Sequence, residues 1–239
     1  MDEQFIRAIS IRWDKIDPDS YIRDIPALVD MTEMTFSTPI TFFVGENGSG
    51  KSTLLEAIAV ASGFNPEGGT KNYCFSTYDS HSDLHEALFV TRGIRKPGWG
   101  YFLRAESFYN VATMDEEYGK LPGGVPHDFH KKSHGESFLA TVQENFKPNG
   151  LYILDEPEAA LSPQRQLTLL LEINGIANQE SQFIIATHSP ILLGMPGARI
   201  LSFDNGYIHE ITYEETESYQ VTEMFINNRE ALLRRLLSQ

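Results

Sequence analysis

Eight residues near position 50 leave this chain few folds to choose from. Gly45-Glu46-Asn47-Gly48-Ser49-Gly50-Lys51-Ser52, with Thr53 next, fits the pattern G-x-x-x-x-G-K-[ST]. It follows the apolar run Ile40 to Val44. It precedes a stretch carrying Leu54, Leu55, Ile58, Ala59 and Ala61 at helical spacing, which stops at Gly63. Strand, glycine loop and helix in that order are the context the pattern requires. The glycines let successive N–H groups turn inward as an anion nest, and the helix start adds a partial positive charge of about half an electron. The ligand predicted is a polyphosphate, with Lys51 on its β- and γ-phosphate oxygens and the Ser52 hydroxyl on Mg²⁺.

Two later apolar runs end in polar residues of the same chemistry. Leu151 to Leu154 delivers Asp155 and Glu156 at a strand's C-terminal end, the edge where open α/β sheets place ligands. Asp155 can hold Mg²⁺ through a water, and Glu156 can orient or deprotonate an attacking water; a charged strand end on a surface loop is the plainer alternative. Phe183 to Ala186 leads into Thr187-His188-Ser189-Pro190, so His188 emerges at that edge within reach of a γ-phosphate. Between these strands a helix is expected at about 163–178, carrying Leu167, Leu170, Leu171 and Ile173. The alternation predicts parallel strands with crossover helices.

Residues 5–11 read as a further strand. Residues 199–213 read as a hairpin turning at Asp204-Asn205-Gly206, and 219–237 as an amphipathic helix with Val221, Met224, Phe225, Leu232, Leu233 and Leu236. From about 66 to 135 the pattern is broken by Gly93, Pro97-Gly98, Gly100, Pro122-Gly123-Gly124 and Pro126, which suits an inserted lobe. The expectation is one domain, with a core of about 1–65 and 150–239 and a lobe of about 66–149.

Composition narrows the partners. A formal net charge of −14 repels nucleic-acid phosphates and anionic lipid over most of the surface, so unaided DNA binding is disfavoured, although direct nucleic-acid contact stays open. Arg92, Arg95, Lys96 and Arg104 form the best candidate for a local phosphate-contacting strip, against a solvated surface. Cys74, the single cysteine, leaves no intrachain disulfide and fits a reducing cytoplasm. No stretch approaches about 18 consecutive apolar residues, and Met1-Asp2-Glu3-Gln4 is acidic where a signal peptide is basic, so membrane insertion and export are not expected. His127, Asp128, His130 and His134 have zinc-like spacing, but the surrounding glycines and proline predict loop rather than a rigid ligating face. Trp13 and Tyr21 are candidates to stack on adenine, with core packing the simpler reading.

From 45 to 190 the chain resembles the ATP-binding-cassette superfamily of P-loop NTPases. Four motifs carry the resemblance: Walker A at 45–52, Walker B at 151–156, the switch histidine His188, and a signature at Ser133-His134-Gly135-Glu136-Ser137. The last is similar to the family's Ser-Gly-Gly-Gln/Glu, with His134 where the family has glycine, and opens a helix including Phe138, Leu139 and Val142. The resemblance implies an α/β fold: a mixed sheet, flanking helices and an inserted helical and loop lobe carrying the signature. It also implies that Ser133, Gly135 and Glu136 face the γ-phosphate bound to an opposite subunit, a helix-end anion site that would let ATP hold two copies head to tail.

Glu156-Pro157-Glu158-Ala159-Ala160-Leu161-Ser162-Pro163 looks like the corresponding stretch of stand-alone and repair-type ATPases, whereas transporter subunits usually carry aspartate where Ser162 stands. No glutamine occurs between Ser52 and the signature, so the Mg²⁺-binding glutamine of transporter subunits is missing. Glu106 stands at a plausible distance to replace it, with a merely structural acid as the alternative. The interval from Lys51 to Ser133 is too short for the coiled-coil arms of chromosome-maintenance and double-strand-break repair ATPases. The implied activity is ATP hydrolysis with ATP and Mg²⁺, by an ATP-dependent homodimer that drives or licenses an unidentified partner process. A transporter's nucleotide-binding subunit and a low-turnover ATP switch on an effector protein are the alternatives.

Overall fold

Apolar runs too dense to alternate along the chain are what a sheet covered on both faces requires, and the computed structural model contains such a sheet. It describes residues 4–70, 83–104 and 134–238, with the backbone alone at His134. In chain order its elements are β1 Ile6–Ile11, α1 Pro26–Val29, β2 Met34–Thr35, β3 Ile40–Val44, α2 Lys51–Ala61, α3 Leu84–Ala87, β4 Leu88–Arg92 and β5 Trp99–Arg104. There follow α4 His134–Asn145, β6 Gly150–Asp155, α5 Pro163–Ala177, β7 Gln182–Ala186, α6 Pro190–Leu193, β8 Arg199–Ser202, β9 His209–Ile211 and α7 Glu217–Leu237.

Six strands form the main sheet in the order β5-β6-β7-β3-β8-β9, parallel except for the antiparallel edge strand β9. A small antiparallel sheet, β2-β1-β4, lies apart from it. Every residue of β3, β6 and β7 is buried. The period of two survives in space: Phe43, Ile153 and Ile184 join the core layer of α2 and β1, while Phe42, Tyr152, Leu154 and Ile185 join the layer of α4, α5 and α6. Tyr152 stacks on Phe183 at 4.8 Å and meets Phe146 at a tilt at 4.6 Å, and it donates its hydroxyl to the Lys147 carbonyl at 2.6 Å. Burial pushes its pKa up to about 12.

The expected strands, crossover helix and hairpin are present, and β8 and β9 join across a turn with Asn205 and Gly206 at positive φ. Three details differ from the sequence reading. Leu167 and Leu171 are exposed, so that α5 buries the expected Ile173 together with Leu169 and Ala177, with Leu170 packed at the edge of the same cluster. Strands β4 and β5 arise inside the segment assigned to the lobe, where Gly93, Pro97, Gly98 and Gly100 obscured them; β4 pairs with β1 and β5 with β6. Finally α7 forms, yet none of its side chains is buried.

One buried side chain joins the two sheets. The Gln182 amide on β7 donates to the Ile6 carbonyl and accepts the Ile6 N–H, each at 2.9 Å, while 1% exposed. Gln182→Leu strands both backbone groups in an apolar interior, and should lower unfolding free energy by about 1–3 kcal/mol in urea titration.

Candidate functional site

Because β6, β7 and β3 are neighbours and parallel, their C-terminal ends open on one edge of the sheet. The first of these ends is the glycine loop. Gly45, Gly48 and Gly50 all have positive φ, and at Gly50 (φ +100°) a Cβ would also lie 2.6 Å from Ile25 Cγ2. The segment before α1 therefore packs directly beneath the turn that starts α2. Within the loop the Lys51 amine donates to the Gly45 carbonyl at 2.6 Å and the Glu46 carbonyl at 2.8 Å. Burial pushes the Lys51 pKa below its ordinary value, while Asp204, Glu156 and Asp155 pull it back up.

The second end brings the acid pair. Ser52 donates its hydroxyl to Asp155 Oδ1 at 2.9 Å, joining α2 to β6. A hydroxyl and a carboxylate held this way are hard oxygen donors, which suit Mg²⁺ with its remaining positions left to water and phosphate. Glu156 departs from the strand at φ +48°, a left-handed conformation that costs a side-chain-bearing residue about 1–2 kcal/mol. Its N–H remains tied to the Ala186 carbonyl at 2.9 Å, so the turn is anchored to β7. The third end brings His188, whose Nε2 lies 4.0 Å from Glu156 Oε1. Glu46, Asn47, Glu156 and His188 line one open cleft, together with Glu217 at the start of α7.

The signature positions are described in part. Gly135 packs so tightly that a Cβ would meet the Arg165 guanidinium at 2.6 Å and the Ala160 carbonyl at 3.1 Å. Glu136 pairs with Arg165 of the same chain at 3.1 Å. Ser133, Glu106, Cys74 and the histidines at 127 and 130 lie outside the described residues, as does the His134 side chain. Trp13 packs on the core beneath the Arg23 guanidinium, and Tyr21 is exposed. The basic run does not form a continuous strip: Arg92 donates to the Ala61 carbonyl and Arg95 pairs with Glu180, while Arg104 pairs with Glu56 at 2.6 Å.

Three contributors escaped the sequence reading, and a fourth, Arg104, was read there only as part of a basic strip. Asp204, read there only as a hairpin-turn residue, accepts the Glu46 N–H at 2.8 Å and so props the first turn of the phosphate loop. Glu158 accepts the His188 N–H at 2.6 Å, tying the histidine loop to the segment after the acid pair. Arg104 brings its Nε within 3.9 Å of Asp155 Oδ2, and Glu217 closes one side of the cleft. For Asp204, Arg104 and Glu217 no local pattern could have identified these partners. Glu158, two residues past the acid pair, was the one with a signal.

Among the described residues, no cluster of three or more His, Cys, Asp or Glu could hold a metal ion, and no helix is long and apolar enough to cross a membrane. Two family models match parts of the chain: an AAA domain over residues 22–95, and a second AAA domain, provisionally linked to the AbiEii toxin of type IV toxin–antitoxin systems, over residues 137–194. No curated protein matches. Similar solved structures include the SMC head domain from Thermotoga maritima, at 16% identity and TM-score 0.43 over 75% of this chain and 92% of that one. Another is the ATP-binding cassette of an ABC transporter in its ADP conformation, at 17% identity and TM-score 0.48 over 93% and 98%. The first family match contains the phosphate loop and the second contains the acid pair and His188. Together with the motif order, these two partial matches support a P-loop nucleotide-binding domain similar to AAA domains.

Two substitutions probe this geometry. Gly50→Ala should weaken ATP binding more than tenfold in calorimetric titration, because the new methyl collides with Ile25 at a φ that alanine resists. Glu156→Gly relieves the left-handed strain and should leave the thermal midpoint unchanged or raised, by up to about 1 kcal/mol of stability, while phosphate release falls to background.

Proposed function

We propose that this chain binds Mg-ATP in the cleft at the ends of β3, β6 and β7 and hydrolyses it, acting in the cytoplasm as a stand-alone ATPase rather than a transporter subunit. Its working form is an ATP-dependent head-to-tail homodimer whose cycle licenses a process in a partner protein. The observation that carries the reading is the Ser52–Asp155 hydrogen bond, which brings the helix after the phosphate loop and the acid pair into one donor set.

The residues divide the work by position. Gly45, Asn47, Gly48, Ser49, Gly50 and Thr53 supply backbone donors and the helix start for the phosphates, while Glu46, its N–H held by Asp204, lines the loop beside them. Lys51 gives up its bonds to the Gly45 and Glu46 carbonyls for stronger, charge-assisted bonds to phosphate oxygens. Ser52 and Asp155 would hold Mg²⁺, which would supply positive charge to the phosphates. Glu156, half exposed in the cleft, orients the attacking water and accepts its proton. His188, held by Glu158 through its backbone, donates to the γ-phosphate. Glu106 fills the part of the missing glutamine. Ser133, Gly135 and Glu136 at the start of α4 clasp the γ-phosphate of the opposite copy. Loss of that phosphate removes contacts made only in the closed state, and the two copies loosen.

Glu156→Gln tests the reading, because it keeps the shape of the side chain and removes the base. Expected are ATP affinity within threefold of the parent, turnover lowered by at least about 10²-fold, and association that Mg-ATP strengthens and ADP does not, read by sedimentation. No heat on titration with Mg-ATP, or association indifferent to ATP, would overturn it.

A further inference from the structure

Helix α7 is 21 residues long with no buried side chain. Val221, Met224, Phe225, Ile226, Leu236 and Leu237 are all at least 41% exposed. Among the described residues, it meets the body through its first turns, where the Tyr219 ring meets Tyr213 at 4.7 Å and Gln220 donates to the Glu214 carbonyl. A helix of this length, about 31 Å, is marginal in water unless an amphipathic face is covered. Positions 221, 225, 228, 232 and 236 recur every three or four residues and form one stripe, apolar except for Asn228.

The charges beside that stripe identify what covers it. The first half of α7 carries Glu217 and Glu223; the second half carries Arg229, Arg234 and Arg235 against the single acid Glu230. The helix is thus acidic at one end and basic at the other, in a protein whose formal charge is −14. Eighteen residues, five turns at 3.6 residues each, separate Glu217 from Arg235, so their spacing in the sequence assigns them to the same flank of the stripe on either side of Asn228. In an antiparallel pair of identical helices, equal flanks meet, which places Glu217 of each copy against Arg235 of the other. The same pairing lays Val221 against Leu232 and Phe225 against Asn228. Its centre falls near residue 226, beside the break at Asn228 (φ −131°), so each straight half of one helix faces the opposite half of its partner.

We propose that α7 is a self-association arm that pairs antiparallel with α7 of a second copy of this chain through a two-fold interface. The pairing needs no nucleotide and is separate from the ATP-dependent association proposed above.

Sedimentation velocity of the nucleotide-free full chain, from about 1 to 100 μM, tests it in four proteins. The parent should show concentration-dependent dimer. Val221→Glu combined with Leu232→Glu should be monomeric, and Arg235→Glu should weaken association at least tenfold. Glu217→Arg combined with Arg235→Glu should return it to within about threefold of the parent, because the exchanged charges meet again across the two-fold. The body's thermal midpoint should be unchanged in all four, which separates loss of pairing from unfolding. A parent that stays monomeric throughout would overturn the proposal, leaving the stripe to another segment or partner. Dimer unaffected by Arg235→Glu, or a charge exchange that fails to restore it, would also overturn it. Omitting nucleotide keeps this outcome distinct from that of the Glu156→Gln experiment.

Discussion

Parallel pairing of β7 with β3 on one side and β6 on the other is the constraint on which the remainder of this molecule depends. Registers such as Phe43 with Ala186 and Asp155 with Ala186 bring three strand ends level, so that a loop, an acid pair and a histidine far apart in sequence share one edge. A parallel strand cannot return by a tight turn, and each must be followed by a crossover. Those crossovers become the helices that cover the faces, so the architecture that makes the site also buries it from behind.

The site holds its groups under tension. Lys51 is drawn into the loop against a desolvation cost that lowers its pKa, and the charges of Asp204, Glu156 and Asp155 oppose that shift. Glu156 occupies a left-handed backbone conformation that its neighbours enforce through the Ala186 carbonyl. Asp204 and Glu158 accept the backbone N–H groups of Glu46 and His188 in the two loops of the site, and so set the shape of the cleft. Locally unfavourable choices of this kind are stable only where surrounding structure over-determines them. Here the double-sided burial of β3, β6 and β7 supplies that rigidity.

Much of this was legible beforehand. The glycine loop, the acid pair and His188 are contiguous signals, each attached to an apolar run long enough to read as a strand. The sheet order followed less directly, because β4 and β5 are interrupted by glycine and proline and pair with partners distant in sequence. The helix at 163–177 was visible but its buried face only in part, Ile173 and Leu170 lying on it and Leu167 and Leu171 not, since clustered leucines satisfy more than one phase.

The sequence by itself determined the phosphate loop, the identity of the residues at three strand ends and the alternation of strands and helices, because these depend on contacts within a few residues. Tertiary structure alone decided that Asp204 reaches Glu46, that Arg104 stands beside Asp155, that Gln182 bridges two sheets, and that α7 is left without cover. Each of those outcomes depends on which distant backbone arrives alongside, and a one-dimensional pattern of hydrophobicity contains no information about the angle or offset at which two elements meet.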